Sequence, residues 1–271
     1  MLSVPSLIFV LLGAALLVSS IGFYRTVLFI SVGYAFSITA MTVITVIAYN
    51  SSLTLFSILQ NLLLFLWSVR LGVYLIRREV LPSFSGQKQR NAEQSARATR
   101  KVQFAIWISV SLLYVAMFSP SLFLLASPVD ATPVAKIVQL VGLVIMAGGL
   151  ILEAAADQQK SNFKAKFPKS FCNVGFYRWM RCPNYLGEIL FWVGNWVITV
   201  PFYTSALQWV LSFIGLVCIV LIMLGSTKRL ESSQQERYGT LPEFQTYVST
   251  VPVLLPFVPV YTLKNIRVYL E

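Results

Sequence analysis

The sequence predicts an all-α, polytopic membrane bundle of about seven transmembrane helices, with the N-terminus outside and the C-terminus cytoplasmic. Three observations carry this. Of the 271 residues, 57% are hydrophobic and only 11% charged, a composition that soluble domains do not show. Apolar runs long enough to cross roughly 30 Å of hydrocarbon recur along the whole chain. Lys and Arg gather in alternate connections, the positive-inside pattern that orients membrane helices.

Taken in order, the first span covers residues 4–23. No basic residue precedes its apolar core, so a retained helix is expected, not a cleaved signal peptide. The second, 26–48, follows the turn at Phe23-Tyr24-Arg25. The third, 53–76, places Gln60, Trp67, Arg70 and Tyr74 on one helical face. After a polar loop at 77–101 come spans at 103–126, 135–156, 184–201 and 205–226. Seven spans put Arg25, loop 77–101, loop 157–183 and the tail 227–271 on the cytoplasmic side. Of the 21 Lys and Arg residues, only Lys136 falls near the opposite face. Pro252, Pro256 and Pro259 exclude an eighth regular helix; the tail is expected to fold back along the membrane interface and cover the cytoplasmic mouth. The polar loop divides the chain into a three-helix half, 1–102, and a four-helix half, 103–271, where the chemistry-bearing residues concentrate.

Several function classes drop out. The net charge of +11 is spread over membrane-flanking loops, where topology and anionic lipid headgroups account for it. No nucleic-acid motif accompanies it, so nucleic acid is not an expected partner. The chain has no histidine, which removes the Ser-His-Asp triad, the HExxH zinc site and histidine-ligated haem. No metal site is expected. Cys172, Cys182 and Cys218 lack CxxC spacing and are expected reduced. Without a GxGxxG or Walker loop, a nucleotide would be held by side chains and helix ends.

The most informative segment is Arg181-Cys182-Pro183-Asn184-Tyr185-Leu186-Gly187-Glu188. Pro183 suits the first turn of a helix, and Asn184 and Glu188, four residues apart, share its face. A carboxylate at the mouth of an uncharged span marks a site by default; the plainer alternative is a structural carboxylate paired with Arg178 or Arg181. Asn195 and Trp192 continue beside that face, and Gly187 and Gly194 leave room for a helix or a flat ring. On the fifth span Glu153, Asp157, Lys160 and Lys164 form one helical stripe. Ion pairing along the helix end explains it structurally; functionally, the acids would hold hydroxyl or amide groups and the lysines phosphates. Arg70 either snorkels to the surface or lines the site. Tyr34 and Tyr114 add hydroxyls at membrane depth.

Residues from about 150 to 260 resemble the C-terminal domain of the steroid 5-alpha-reductase family, including its bacterial relatives. The resemblance rests on the Glu153/Asp157 helix end, Gly175-Phe176-Tyr177-Arg178, the Arg181-x-Pro183-Asn184-Tyr185-x-Gly187-Glu188 run and the Tyr247-to-Pro256 tail. The third-span pattern Leu66-Trp67-Ser68-Val69-Arg70-Leu71 with Tyr74-Leu75-Ile76-Arg77-Arg78 is also similar. The resemblance implies a seven-helix bundle holding NADPH in its cytoplasmic half, with Asp157, Lys164, Asn184, Tyr185 and Glu188 at cofactor-contacting positions. Glu153 and Lys160 join them from the stripe, and Arg181, Arg229 and Arg237 by position. The implied reaction is hydride transfer to an enone of a lipophilic substrate; of this chain's own residues, Tyr34 or Tyr74 is the candidate hydroxyl to engage the carbonyl. Two departures stand out: Cys182 replaces the family's usual His, and no acid precedes Glu79, so the family's N-terminal Glu is missing. Isoprenylcysteine carboxyl methyltransferases, which use S-adenosylmethionine, share a similar helix start and tail. A non-catalytic lipid-binding protein is the third class. Either a bacterial inner membrane or the endoplasmic reticulum suits such a multi-pass chain.

Overall fold

A computed structural model describes residues 4–80, 99–127 and 131–264. Most of the polar loop expected at 77–101 therefore lies outside the described residues. The long helices are α1 (Val4–Ser19), α2 (Val32–Ala48), α3 (Leu55–Val80), α4 (Arg100–Leu125), α5 (Pro133–Lys166), α6 (Pro183–Thr199) and α7 (Ala206–Tyr238), and a short α8 (Pro242–Thr250) follows. Seven spans are long and apolar enough to cross a membrane, at the positions the hydropathy pattern indicates. No strand occurs among the described residues.

Two helices outrun their apolar segments. The hydrophobic runs end near residues 156 and 226, yet α5 continues to Lys166 and α7 to Tyr238. No Pro or Gly interrupts either extension until Pro168 and Gly239, and both extensions are rich in good helix formers. About three polar turns of each helix thus project beyond the apolar core.

The chain forms two compact units, Met1–Leu143 with Asn195–Leu216, and Val144–Gly194 with Val217–Glu271. These differ from a division at residue 102, because α4 packs with the helices before it. Ser111 Oγ lies 3.1 Å from Ser19 Oγ, Trp107 Nε1 donates to Leu16 O at 2.9 Å, and Tyr114 OH donates to Phe29 O at 2.7 Å. Loop polarity in the sequence says where helices are separated, not which ones pack.

Pro120 lies inside α4, where it removes a backbone donor. The freed Ala116 carbonyl is met by Ser119 Oγ at 2.8 Å. Around this break the first unit is stitched by polar side chains. Gln60 Nε2 donates to Asn195 Oδ1 at 2.9 Å, Asn195 Nδ2 to Met117 O at 3.3 Å, and Thr199 Oγ1 to Pro120 O at 3.0 Å. In hydrocarbon each buried group needs such a partner. An apolar groove of 420 Å³ opens between α2 and α3 in the same unit, lined mainly by Val43, Val46, Ile47, Ile58 and Phe65.

In the second unit α5 and α6 touch backbone to backbone. A Cβ added at Gly187 would sit 2.6 Å from Glu153 N and 2.8 Å from Gly149 O; one at Gly149 would sit 2.5 Å from Phe191 N. Only paired glycines permit this approach.

Candidate functional site

The glycine contact between α5 and α6 sets which polar groups meet. Gly187 abuts Glu153; Glu188 and Asn184 lie within a turn of Gly187 on α6, and Asp157 one turn beyond Glu153 on α5. Glu153, Asp157 and Glu188 are 3%, 6% and 8% exposed, so all three carboxylates face protein and not lipid. Asn184 Oδ1 is buried without a hydrogen-bond partner. A buried amide oxygen left unpaired costs desolvation free energy, and it is the acceptor in this cluster open to an incoming donor. Tyr185 is half-buried beside it, packed against the group of Cys182, Val253 and Leu263.

Farther along α5 the stripe meets the loop that leads into α6. Lys160 Nζ lies 5.9 Å from the centre of the Tyr177 ring. Gln159 Oε1 accepts from Phe176 N at 3.0 Å, beside Gly175, whose φ of 58° suits glycine. Tyr177 OH donates to Ala156 O at 3.3 Å, and Tyr247 OH donates to Tyr177 O at 2.7 Å. Lys164 Nζ donates to Ser170 O at 2.5 Å and Tyr238 OH at 2.7 Å. Lys164 therefore staples the loop to the end of α7, a structural occupation beside the cofactor-contacting position that the resemblance implies.

Arg181 is likewise engaged. Its Nη2 forms a buried ion pair with Glu231 Oε1 at 2.9 Å and also donates to Tyr261 O. Glu231 Oε2 accepts from Leu263 N at 2.9 Å. Backbone bonds from Arg181 N to Pro252 O and from Cys182 N to Val253 O, both 2.9 Å, complete the attachment. This clasp holds the folded-back tail against the start of α6, as the proline spacing suggests. Arg229 and Arg237 are exposed and donate to Ser226 and Ser233 of their own helix; the structure does not draw them into the cluster.

Two of the thiols, Cys172 and Cys182, are buried. Burial pushes the Cys182 thiol up to about 11, against the opposing pull of Lys160 and Arg181. Cys172 is also raised by burial. Both stay protonated at neutral pH.

A family model described as a protein of unknown function, DUF1295, matches residues 21–251. The chain belongs to the DUF1295 family. No curated protein and no solved structure matches it. The DUF1295 match runs from the turn after α1 through α8, so it includes the α5–α6 contact, Arg181 and Glu231, and it stops before the loop around Phe257.

Of the residues singled out from the sequence, Glu153, Asp157, Asn184 and Glu188 lie on the two helices of this DUF1295 chain that touch at Gly149 and Gly187, Tyr185 packs toward the tail, and Lys160 and Lys164 lie farther along α5 at the adjoining loop. Tyr34 and Tyr74 belong to the first unit. Tyr34 stacks on Tyr114 with centroids 5.1 Å apart and meets Trp67 edge-on at 5.4 Å; Tyr74 is half-buried. Glu231 is the residue that sequence reasoning passed over. Thr227 and Glu231 are four apart after an apolar run, the same spacing that drew attention to Asn184 and Glu188, and both are buried.

Proposed function

We propose that this protein is a membrane-embedded, NADPH-dependent reductase of a carbon–carbon double bond in a lipophilic substrate. What supports the reading is the burial of Glu153, Asp157 and Glu188, and of Asn184 Oδ1, on the two helices that touch at Gly149 and Gly187, together with the steroid 5-alpha-reductase-like motif that supplies those residues. The donor set fits part of the cofactor. Carboxylate oxygens and the open Asn184 Oδ1 accept hydrogen bonds, which suits ribose hydroxyls and a carboxamide N–H. Lys160, on the same stripe, is the basic residue offered to a diphosphate. When bound, NADPH would supply the hydride to one carbon of the double bond, the proton for the other coming from solvent. The chain's own residues orient the cofactor at the glycine contact, and the clasped tail excludes water from the start of α6. Tyr34 and Tyr74 form no part of this proposal. Membrane lipid is the route by which a lipophilic substrate arrives, in either a bacterial inner membrane or the endoplasmic reticulum.

A second reading rests on the sequence: the Arg181-x-Pro183-x-Tyr185-x-Gly187 helix start and the folded-back tail are also similar to those of the isoprenylcysteine carboxyl methyltransferases, which use S-adenosylmethionine. Thermal unfolding of the detergent-solubilised protein with NADPH, NADH and S-adenosylmethionine separates the two, because a ligand stabilises only the state that binds it. A rise with NADPH alone supports the reductase. A rise with S-adenosylmethionine alone replaces it with the methyltransferase, and no rise with any of the three leaves a lipid-binding role.

A further inference from the structure

We infer that the tail loop from Val253 to Val260 is a membrane-inserting foot that docks on a bilayer surface bearing anionic phospholipid headgroups. The hydrogen bond from Val253 N to Val260 O, 2.9 Å, closes this loop, and Phe257 sits at its tip. No side chain from Val251 to Val260 carries a polar group. A tip in water ordinarily draws on Gly, Asn, Asp or Ser; this one presents Leu255, Phe257 and Val258 to the outside.

Three independent features indicate that the apolar tip has a use. Phe257 is 83% exposed, and its partner Trp179 is 57% exposed. Their rings meet edge to face with centroids 5.7 Å apart. Phe257 also has φ of 65°, the one positive φ outside glycine among the described residues. A bulky residue in that region is strained, and here it holds an exposed ring. Finally, the loop's base is held firmly. The Arg181–Glu231 clasp and the backbone bonds to Pro252 and Val253 fix it to the residues just before α6.

Depth follows from the same bonds. Trp179 lies four residues before Pro183, where α6 enters its apolar span, so it sits near headgroup level, the ordinary place for Trp in membrane proteins. The tail bonded to Arg181 and Cys182 shares that level. Charge selects the surface. Arg178, next to Trp179 in the chain, and Lys264, four residues after the loop closes, are exposed. No Asp or Glu occurs from Gln158 to Gly187 or from Phe244 to Lys264. Rings at the acyl boundary with lysine and arginine at the phosphates is the arrangement of an interfacial anchor.

The full chain, reconstituted in lipid nanodiscs, tests this with an environment-sensitive fluorophore on Phe257→Cys, in a Cys218→Ser background; Cys172 and Cys182 are buried. Leu255→Cys is a second labelling site should the first fold poorly, and Glu236→Cys, exposed at the end of α7, is the aqueous control. The expected result is blue-shifted emission at 257 and 255, quenched by lipids with a headgroup-proximal nitroxide, while 236 is quenched from water. Adding phosphatidylglycerol to phosphatidylcholine should deepen the lipid quenching. Arg178→Gln should shift insertion about fivefold in the anionic discs only. Water-like emission at both loop sites overturns the proposal. A blue shift without lipid quenching overturns it too, since a protein surface would then cover the loop.

Discussion

Replacing Gly187 by Ala probes the contact on which the site depends. The added methyl would lie 2.6 Å from Glu153 N and 2.8 Å from Gly149 O, while ordinary contact begins near 3.4 Å. The obstacles are backbone atoms of α5, which no rotamer change can move. The helices must separate by about 0.8 Å at that point, and dispersion contacts along the seam weaken with them. Overpacking of this kind costs about 1–3 kcal/mol. For a chain of this size that is a fall in unfolding midpoint of roughly 2–10 °C. The assay is thermal unfolding of purified protein in one detergent, compared with Gly148→Ala, where a new methyl meets nothing within 4 Å. That control should be neutral, or stabilising by up to about 1 kcal/mol through helix propensity. Any ligand-induced rise in midpoint should shrink in Gly187→Ala and persist in Gly148→Ala. Equal stability of the two variants would refute the close backbone approach, and with it the meeting of Glu153 and Glu188.

Other expectations follow from separate parts of the molecule. Glu231→Ala leaves Arg181 buried without its carboxylate, so about 3–5 kcal/mol should be lost, and limited proteolysis should cut the tail beyond Thr250 faster than in the parent. Because the Cys182 thiol ionises near 11 when folded, against 9.0 ordinarily, the unfolded chain releases this proton first as pH rises. Stability should therefore be unaffected by this group below pH 9 and decline toward pH 11; Cys182→Ala should flatten that decline in a pH series of unfolding midpoints. Asn195→Leu removes both the donor to Met117 O beside Pro120 and the acceptor of Gln60 Nε2 and should cost about 1–2 kcal/mol in the same thermal assay.

How legible the fold was depends on the kind of signal. Hydropathy and charge alternation mark all seven spans, because in a bilayer the polar cost of a backbone leaves little choice but helix. The extensions of α5 and α7 are less visible, since hydropathy ends where the apolar core ends while helix propensity continues to Pro168 and Gly239. Asn184, Glu188, Glu153 and Asp157 could be picked out as polar groups at membrane depth. Their meeting could not, because it depends on Gly149 facing Gly187 across two segments far apart in the sequence. Arg181 illustrates the limit most plainly. An arginine beside a helix start reads as an anion ligand, and only its distance to Glu231 reveals the clasp.

The central claim is that the α5–α6 contact holds a nucleotide, and equilibrium titration of NADPH against the purified protein, followed by tryptophan quenching and nicotinamide fluorescence, tests it most directly. The parent should bind saturably, while Asn184→Ala and Glu188→Gln, expressed and folded like the parent, should bind at least several-fold more weakly, each losing one hydrogen bond worth about 1–3 kcal/mol. Saturable binding with the same affinity in both variants would contradict the assignment.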